Sequence, residues 1–210
     1  MIIVGAGGFA KEVLEELIKL KTTNEIVFYD DVSIKLPKLL YNSFKILRTS
    51  VMAEKYLKYQ DNRFTLGVGN PFVRSDLASK FESLGGVLIN VVSKRASVGS
   101  YGVSIGYGNN IMSNALISNN VSIGNGCIIY YNCVITHDCI IHDFVEISPN
   151  VTVLGRCEIG SFSQVGAGST ILPDTKIGKN VIIGAGSLVT KNIPDNTMVL
   201  GSPARILKQL

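Results

Sequence analysis

Two histidines lie five residues apart in the segment VITHDCIIHDFVEISPN, residues 134–150. They are the only two in the 210-residue sequence, and an aspartate follows each, as His137-Asp138 and His142-Asp143. An imidazole with an ordinary pKa of ~6.5 exchanges protons near neutral pH and can also ligate a metal. The pattern therefore fits a proton-transfer site, a metal site or two solvated side chains, and the backbone that positions the histidines has to distinguish these.

Composition limits the class of protein before any motif is considered. The sequence is 46% hydrophobic and 17% charged, with 21 glycines, which is typical of a globular chain with one large or two small domains. Its net charge is +4 and its basic residues form no run, so we expect no nucleic-acid partner. No apolar segment is long enough to span a bilayer and no basic leader precedes the apolar start, so we expect a cytoplasmic protein without a membrane segment.

A repeat of six residues dominates the second half of the sequence. Helices repeat every 3.6 residues and alternating strands every two, whereas short strands that turn a corner every six residues select one position in six. That position is a β-branched aliphatic residue fifteen times in succession: Ile105, Ile111, Ile117, Ile123, Ile129, Ile135, Ile141, Ile147, Val153, Ile159, Val165, Ile171, Ile177, Ile183 and Val189. The repeat predicts a hexapeptide β-helix, a triangular prism filled by these aliphatics and by the mostly small residues four places after them.

The four cysteines, Cys127, Cys133, Cys139 and Cys157, all fall on that small inward position. There a thiol acts as a compact hydrophobic group. Their spacing contains no CxxC pair, and reduced buried thiols are typical of cytoplasmic proteins. We therefore expect neither a zinc site nor a catalytic thiol.

The outward corners of the prism fall two and three residues after each aliphatic, largely at residues that tolerate tight turns. His137 and Asp138 occupy one corner, and because three hexads close one coil, residues three hexads apart share an edge. We define a histidine edge as Asn119, His137, Gly155, Pro173 and Lys191, and an alanine edge as Tyr131, Pro149, Ala167 and Ala185. Gly155 should lie directly beside His137. The alanine edge of a neighbouring subunit could face the histidine across a cleft that accepts an extended ligand.

His142 has a different place in the repeat. It follows Ile141 directly, at a position that glycine occupies in six other hexads. We interpret His142 as a residue of the surface or of an interface rather than as a catalyst.

Residues 1–85 have another character. Met1 to Phe9, MIIVGAGGF, predicts a strand and a glycine turn before a helix at residues 10–20, and the amides at Gly7, Gly8 and Phe9 could hold a phosphate. A second strand, residues 25–31, ends in Asp30 and Asp31, where such folds bind a ribose or base. A third strand near residues 64–68 precedes Asn70 and another helix. This is half of a doubly wound unit, which favours a nucleotide-linked ligand over NAD; the alternative is a turn that only lets strand and helix pack.

Five features resemble one family of acyltransferases: the opening GAGGFAKEV, the strand end FYDD, the hexapeptide array, the segment HDCIIHDF and the ending GSPARI. Together they make the chain similar to the sialic acid O-acetyltransferase (NeuD) type family, which includes bacterial N-acetyltransferases of nucleotide-linked 4-amino sugars. The resemblance covers nearly the whole chain. It implies an α/β half-Rossmann-like domain for a nucleotide sugar at residues 1–85, a left-handed parallel β-helix of hexapeptide repeats at 86–195, and a tail at 196–210 that closes near the CoA site.

The resemblance also implies a homotrimer with acetyl-CoA as co-substrate between adjacent β-helices, and no metal. His137 would be the general base, polarised by Asp138, and such a base typically contributes about 10²- to 10⁴-fold. The acceptor's nucleotide would lie in the N-terminal domain, near the glycine turn, Asp30, Asp31 and Asn70. Residues expected near acetyl-CoA are Gly155, Ala167, Ala185, Lys191, Gly201, Pro203 and Arg205.

The chain departs from the family at two positions. Many relatives carry a glycine in place of His142 and a second histidine in place of Glu146. We expect Glu146 to meet the ammonium group of an acceptor, which would favour an amine over a neutral hydroxyl.

The first functional hypothesis is an acetyl-CoA-dependent N-acetyltransferase that acts on the 4-amino group of a UDP- or dTDP-linked amino-dideoxy sugar, for surface-glycan or glycoprotein-sugar synthesis. The alternatives are an O-acetyltransferase acting on a sugar such as sialic acid, and a non-catalytic trimer that binds a nucleotide sugar. A γ-class carbonic anhydrase shares the β-helix but needs three histidine ligands, and this chain has two histidines.

Overall fold

The computed structural model describes residues 1–21 and 25–210, which form two compact units, Met1–Val91 and Val92–Leu210. The boundary between the units lies six residues after the one expected from the sequence. Residues 196–210 belong to the second unit.

The N-terminal unit is an α/β sheet. Its elements are β1 (Ile2–Val4), α1 (Gly8–Leu20), β2 (Val27–Tyr29), β3 (Leu39–Leu40), β4 (Phe44–Leu47), α2 (Ser50–Tyr59), β5 (Arg63–Leu66), α3 (Pro71–Ser83) and β6 (Val87–Leu88). The strand order is β3-β4-β2-β1-β5-β6, and all neighbours are parallel except β3 and β4. The chain moves outward from β1 to β4 and then returns to the other side of β1 as β5. The carboxyl ends of β1 and β5 therefore form the topological switch point at which ligands bind in such sheets.

Two glycines bring the helices and strands of this unit close together. Gly5 has a φ of +109°, and a Cβ there would lie 2.9 Å from the carbonyl oxygen of Gly67. A Cβ at Gly67 would lie 2.6 Å from that of Ala10 in α1. Helix α1 therefore packs directly against the end of β5, above a core that includes Ile3, Leu14 and Phe28.

The second unit is the predicted β-helix. Its strands are β7 (Val91–Val92), β8 (Ser97–Val98), β9 (Ser104–Ile105), β10 (Asn110–Ile111), β11 (Leu116–Ile117), β12 (Ser122–Ile123), β13 (Ile128–Ile129), β14 (Val134–Ile135), β15 (Ile140–Ile141), β16 (Glu146–Ile147), β17 (Thr152–Val153), β18 (Glu158–Ile159), β19 (Gln164–Val165), β20 (Thr170–Ile171), β21 (Lys176–Ile177), β22 (Ile182–Ile183) and β23 (Leu188–Val189), followed by the hairpin β24 (Thr197–Gly201) and β25 (Ala204–Gln209).

These strands form the three faces of the prism. Face 1 contains β7, β10, β13, β16, β19, β22, β24 and β25; face 2 contains β8, β11, β14, β17, β20 and β23; face 3 contains β9, β12, β15, β18 and β21. From β9 to β23, pairing is parallel with a register of three hexads, as in Val134 with Thr152 and Thr152 with Thr170. The last pair of face 1, β24 and β25, is antiparallel. The alanine edge therefore joins faces 1 and 2, and the histidine edge joins faces 2 and 3.

The sequence repeat explains this geometry residue by residue. The second residue of nearly every two-residue strand is buried and packs in one continuous core with all four cysteines. Burial raises the pKa of the Cys133 thiol to about 11, so the thiol is held in its neutral form. The corner residue three places after each aliphatic from Ile105 to Ile183 takes a positive φ, and Asn, Asp or Gly occupies most of these places.

Both ends of the β-helix break the strict repeat. Seven residues rather than six separate Val98 from Ile105, so counting in sixes does not find β7 and β8. At the other end, Ile193 pairs with Ile177, a spacing of 16, before the C-terminal hairpin continues face 1. Among the described residues, no helix has the length and apolarity needed to cross a bilayer.

Two neighbouring isoleucines of β15 test the core. Ile141 is 1% exposed and Ile140 is 43% exposed. We expect Ile141→Ala to lower the free energy of unfolding of the β-helix by about 2–5 kcal/mol, because it leaves a cavity. Ile140→Ala should change it by less than about 0.5 kcal/mol. Urea unfolding followed by far-UV circular dichroism checks this, and equal losses for the two variants would contradict the inward register.

Candidate active site

The histidine edge brings His137 and Asp138 into direct contact. Adjacent side chains in a strand point to opposite faces, but these two residues form a corner in which Asp138 has a φ of +60°. This turn lets Asp138 Oδ2 lie 2.7 Å from His137 Nδ1. Both side chains are exposed, His137 by 53% and Asp138 by 44%, so the pair is accessible to a substrate.

The hydrogen bond fixes which nitrogen of His137 can act as a base. An ionised carboxylate only accepts hydrogen bonds, so the neutral imidazole carries its proton on Nδ1 and its lone pair on Nε2. Hydrogen bonds from His137 and then from Asn120 lower the pKa of Asp138, which therefore stays ionised where histidine titrates. The arrangement suits proton abstraction by Nε2.

Gly155 provides the space in which the imidazole lies. A Cβ at Gly155 would be 2.5 Å from His137 Cε1 and 2.7 Å from its Nε2. The ring therefore lies over the glycine of the next coil, as the spacing of three hexads predicts.

A column of polar side chains runs beside the histidine edge, at the corner position three residues after each aliphatic. Asn120 Nδ2 donates to Asp138 Oδ1 at 3.1 Å, and Arg156 forms two bonds of 2.6 and 2.8 Å with Asp174. Sequence reasoning predicted none of Asn120, Arg156 and Asp174 as a site residue. Counting three hexads at a time in each direction from Asp138 would have found them.

His142 lies on the surface, as expected, but it is not isolated. Its Nε2 lies 3.0 Å from Glu158 Oε1, and Lys176 approaches the other oxygen of Glu158 at 3.4 Å. The hydrogen bond from His142 and then that from Lys176 lower the pKa of Glu158. These residues line a hollow of about 440 Å³ that includes neither His137 nor Asp138.

Glu146 lies in β16 on face 1. In a triangular prism this is the face opposite the corner that carries His137. A single chain therefore does not bring the two side chains together, and Glu146 could approach a histidine edge only from another copy.

The residues expected near acetyl-CoA divide between two edges. Gly155 and Lys191 lie on the histidine edge, whereas Ala167 and Ala185 lie on the alanine edge. The C-terminal hairpin adds to the second group, because β24 pairs with β22 and the amide of Gly201 donates to Ser187 Oγ at 3.3 Å. The end of the hairpin, which contains Gly201, Pro203 and Arg205, is thus placed beside the alanine edge.

The N-terminal unit has a separate pocket of about 260 Å³ at its topological switch point. The pocket collects the carboxyl ends of β1, β2 and β5 and one side of α3, with the lining residues Val4, Gly5, Tyr29, Asp30, Asp31, Val32, Ser33, Val68, Val73 and Leu77. The fully buried Arg74 holds its rim by donating to the backbone carbonyls of Val68 and Gly69.

The two aspartates of this pocket have different surroundings. Asp30 accepts bonds from the amides of Val32 and Ser33 and from the Ser33 hydroxyl, so it shapes the loop. Asp31 Oδ2 accepts from the Tyr29 hydroxyl at 2.6 Å and from Lys80 at 3.1 Å. The Tyr29 bond, followed by that of Lys80, lowers the pKa of Asp31. Asp31 is therefore a fixed anion at the pocket, and sequence reasoning missed Tyr29 and Lys80.

The remaining predicted residues of this unit lie outside the pocket lining. Gly7 is the N-cap of α1, and a Cβ at Gly7 or Gly8 would meet nothing within 4 Å, so packing does not require glycine there. Phe9 lies in the first turn of α1. Asn70 caps α3, because its Oδ1 accepts from the amides of Phe72 and Val73 at 3.1 Å.

Comparison with known proteins relates this architecture to two protein families and to solved structures. Residues 1–81 match the PglD N-terminal domain, and residues 138–172 and 156–191 match the bacterial transferase hexapeptide (six repeats). The acetyltransferase domain of PglB from Neisseria gonorrhoeae FA1090 is 32% identical over 98% of both chains, with a TM-score of 0.91. The chain belongs to the family of hexapeptide-repeat acetyltransferases with a PglD N-terminal domain. This confirms the resemblance noted from the sequence.

Two further structures of this acetyltransferase family contain ligands. The same Neisseria domain in complex with acetyl coenzyme A matches with 30% identity over 98% of both chains and a TM-score of 0.87. A histidine-to-asparagine mutant of perosamine N-acetyltransferase from Caulobacter crescentus, in complex with CoA and GDP-perosamine, is 26% identical over 99% of this chain and 96% of that one, with a TM-score of 0.89. No curated protein matches the sequence significantly. Among residues 1–21 and 25–210, no group of three or more His, Cys, Asp or Glu side chains could hold a metal ion.

Gly155→Ala tests whether the position of the imidazole matters for acetyl transfer. The added methyl group would overlap His137 Cε1, so the ring has to move by about 1 Å, and such a displacement can cost about 10²-fold in rate. We expect kcat to fall by that order while the temperature of unfolding stays close to the parent value. An unchanged kcat would contradict the proposed place of His137.

Proposed function

We propose that this acyltransferase uses acetyl-CoA to acetylate the 4-amino group of a nucleotide-linked amino-dideoxy sugar, with His137 as the general base. The observation that carries the proposal is the accessible His137-Asp138 pair seated over Gly155 at a corner of an acetyltransferase β-helix. In the reaction, the neutral amine nitrogen bonds to the acetyl carbon and gives a proton to Nε2 of His137. The bond between the acetyl carbon and sulfur breaks, and the departing CoA thiolate takes up the proton from the imidazolium. The two relatives that bind acetyl-CoA, or CoA with GDP-perosamine, support this choice of substrates.

The residues proposed near acetyl-CoA imply a site shared by two copies of the chain. Face 2 lies between the histidine edge and the alanine edge. Its outward strand residues Ser97, Leu116, Val134, Thr152, Thr170 and Leu188 are all uncharged. The outward residues of the other two faces include Glu146, Glu158 and Lys176.

Packing of face 2 around a threefold axis would place each histidine edge against the alanine edge of the next copy. In that homotrimer, Gly155 and Lys191 of one copy and Ala167, Ala185, Gly201, Pro203 and Arg205 of the next would line one cleft. Arg205 and Lys191 would supply positive charge for the phosphates of CoA.

The N-terminal pocket is the proposed site for the acceptor's nucleotide. It lies at the switch point of a parallel sheet, and Asp31 offers an ionised carboxylate to a ribose hydroxyl or to a base N–H. The N-terminus of α1 at Gly7, Gly8 and Phe9 would accept a phosphate, while Asn70 and Asp30 keep the neighbouring backbone in place. UDP, dTDP and GDP are all candidate carriers, because a GDP-linked sugar is bound by the Caulobacter relative.

A cytoplasmic location is part of the proposal, because all four cysteines are buried thiols rather than disulfides. The product would serve surface-glycan or glycoprotein-sugar synthesis.

A comparison of the two histidines tests the base. His137→Ala should lower kcat about 10²- to 10⁴-fold, because Nε2 no longer takes the proton. His142→Ala is the matched control, since His142 bonds Glu158 away from the site, and it should keep kcat within about twofold. Release of the CoA thiol from acetyl-CoA measures both.

The same assay assigns the acceptor. Its arms are UDP-, dTDP- and GDP-linked 4-amino-4,6-dideoxy sugars, and free and CMP-linked sialic acid. Turnover with an amino sugar that is lost in His137→Ala supports the proposal, and the preferred nucleotide identifies the carrier. Turnover with sialic acid alone would show that the enzyme is an O-acetyltransferase. A fully active His137→Ala would show that His137 is not the general base.

Glu146→Gln tests selection of an amine acceptor. In the proposed trimer, Glu146 on face 1 of one copy borders the cleft that contains His137 of the next, where it would meet the acceptor's ammonium. We expect the variant to raise KM for the amino sugar about 5- to 10-fold, because one exposed charge interaction of about 1 kcal/mol is lost. Its KM for acetyl-CoA should not change. Kinetics equal to those of the parent would exclude this role.

A further inference from the structure

Asp138 lies in a column of polar side chains, where His137 and Arg156 are the two possible partners of its carboxylate. The column runs along successive coils as Asn120, Asp138, Arg156 and Asp174, each three hexads from the next. Neighbouring parallel strands lie about 4.8 Å apart, so the backbone of Arg156 lies about equally far from those of Asp138 and Asp174. If Arg156 bound Asp138, it would take the carboxylate that holds His137.

The observed hydrogen bonds show which carboxylate Arg156 takes. Arg156 donates through Nε and Nη2 to the two carboxylate oxygens of Asp174, at 2.6 and 2.8 Å, in a bidentate pair. Asp138 is occupied by His137 on one oxygen and by the neutral amide of Asn120 on the other. The charge of Arg156 also lowers the pKa of Asp138, but its effect is smaller than that of these two hydrogen bonds.

We propose that Asp174 is a positioning residue for catalysis: by holding Arg156 it reserves the Asp138 carboxylate for His137. This inference rests on the proposed function, in which His137 is the base. It assigns Asp174 a role two coils from His137, without contact with substrate. Asn120 assists, because a neutral donor orients the second oxygen of Asp138 without neutralising the charge that stabilises the imidazolium.

The chemical consequence follows from the strength of guanidinium bonds. A two-pronged arginine–carboxylate pair is stronger than a single bond from a neutral imidazole. With Asp174 removed, Asp138 becomes the remaining carboxylate next to Arg156 in this column. The Asp138 carboxylate then turns toward Arg156, and His137 loses both its fixed tautomer and the anion that favours its protonated form.

Three variants and a control separate this role from a structural one. Asp174→Asn keeps the shape and tolerates the φ of +62° at this corner, but it loses the charge. Arg156→Gly removes the competitor and suits the φ of +62° there. The third variant combines both changes. Asn180→Gly is the matched control. Asn180 is a corner residue of the remaining edge, which joins faces 3 and 1, and it donates to Asn196 at 2.8 Å, away from His137.

In the CoA-release assay, we expect Asp174→Asn to lower kcat about 10- to 100-fold, the usual cost of losing an outer partner of a functional histidine. The KM for acetyl-CoA should stay within about twofold. Arg156→Gly and the double variant should both keep kcat within about threefold of the parent, because without Arg156 there is nothing to divert Asp138. If Asp174 had only a structural role, a second substitution at Arg156 would not restore kcat.

A second readout needs no acceptor and distinguishes failure of this inference from failure of the proposed function. With only two histidines, the ring resonances of His137 are assigned by comparison with His142→Ala. In Asp174→Asn the share of neutral His137 that carries its proton on Nδ1, read from the NMR shifts of the ring nitrogens, should fall as Asp138 turns toward Arg156. It should return in the double variant.

Each outcome has a definite meaning. If the parent turns over no acceptor but the Nδ1–H tautomer falls and returns as described, the positioning network stands and the proposed function fails. If the parent is active but Asp174→Asn keeps both its kcat and the His137 tautomer, the inference is overturned. A kcat loss that Arg156→Gly does not rescue, or a change confined to the KM for acetyl-CoA, also overturns it. Asn180→Gly should match the parent in both measurements.

Discussion

The structure of the second unit depends on one constraint, the burial of an aliphatic side chain every six residues. Each such residue closes a short strand, and three of them close a coil, so that every corner recurs on the next coil, one strand spacing away. Because the core tolerates neither a shift in register nor a change of face, the corner residues have fixed neighbours. His137 lies over Gly155 and Asp138 lies between Asn120 and Arg156 because Ile135 and Val153 are buried in the same core.

The same constraint divides the candidate site between two edges. The histidine edge supplies the proposed base and its carboxylate, and the alanine edge supplies a track of small residues beside the C-terminal hairpin. Within one prism these edges are separated by face 2. In the proposed mechanism, acetyl transfer therefore depends on a neighbouring copy that brings the second edge to the first.

Much of this arrangement could be predicted from the sequence, since the period of six gives both the inward residues and the position of each corner. The family resemblance implied a contact between His137 and Asp138, but the repeat did not, because the contact depends on a positive φ at Asp138 that alternation along a strand does not suggest. The pair Arg156 and Asp174 was missed because the two residues are far apart in sequence and meet only through the register of three hexads. In the N-terminal unit, the glycine turn and β2 had clear signals, whereas β3 has two residues, and α2 is a ten-residue helix that buries Ala53, Tyr56 and Leu57. The aspartates looked equivalent in sequence, yet the amides of Val32 and Ser33 draw Asp30 into the loop and leave Asp31 at the pocket.

Complementation between two inactive variants tests the shared site most directly. His137→Ala removes the base from one edge, and Ala185→Trp fills the other edge. In mixed trimers, every assembly that contains both chains pairs one intact histidine edge with one intact alanine edge. A cyclic trimer assembled at random from equal amounts should therefore regain about a quarter of the parental CoA release. A mixture that is no more active than its separate components would show that the site does not lie between copies of the chain.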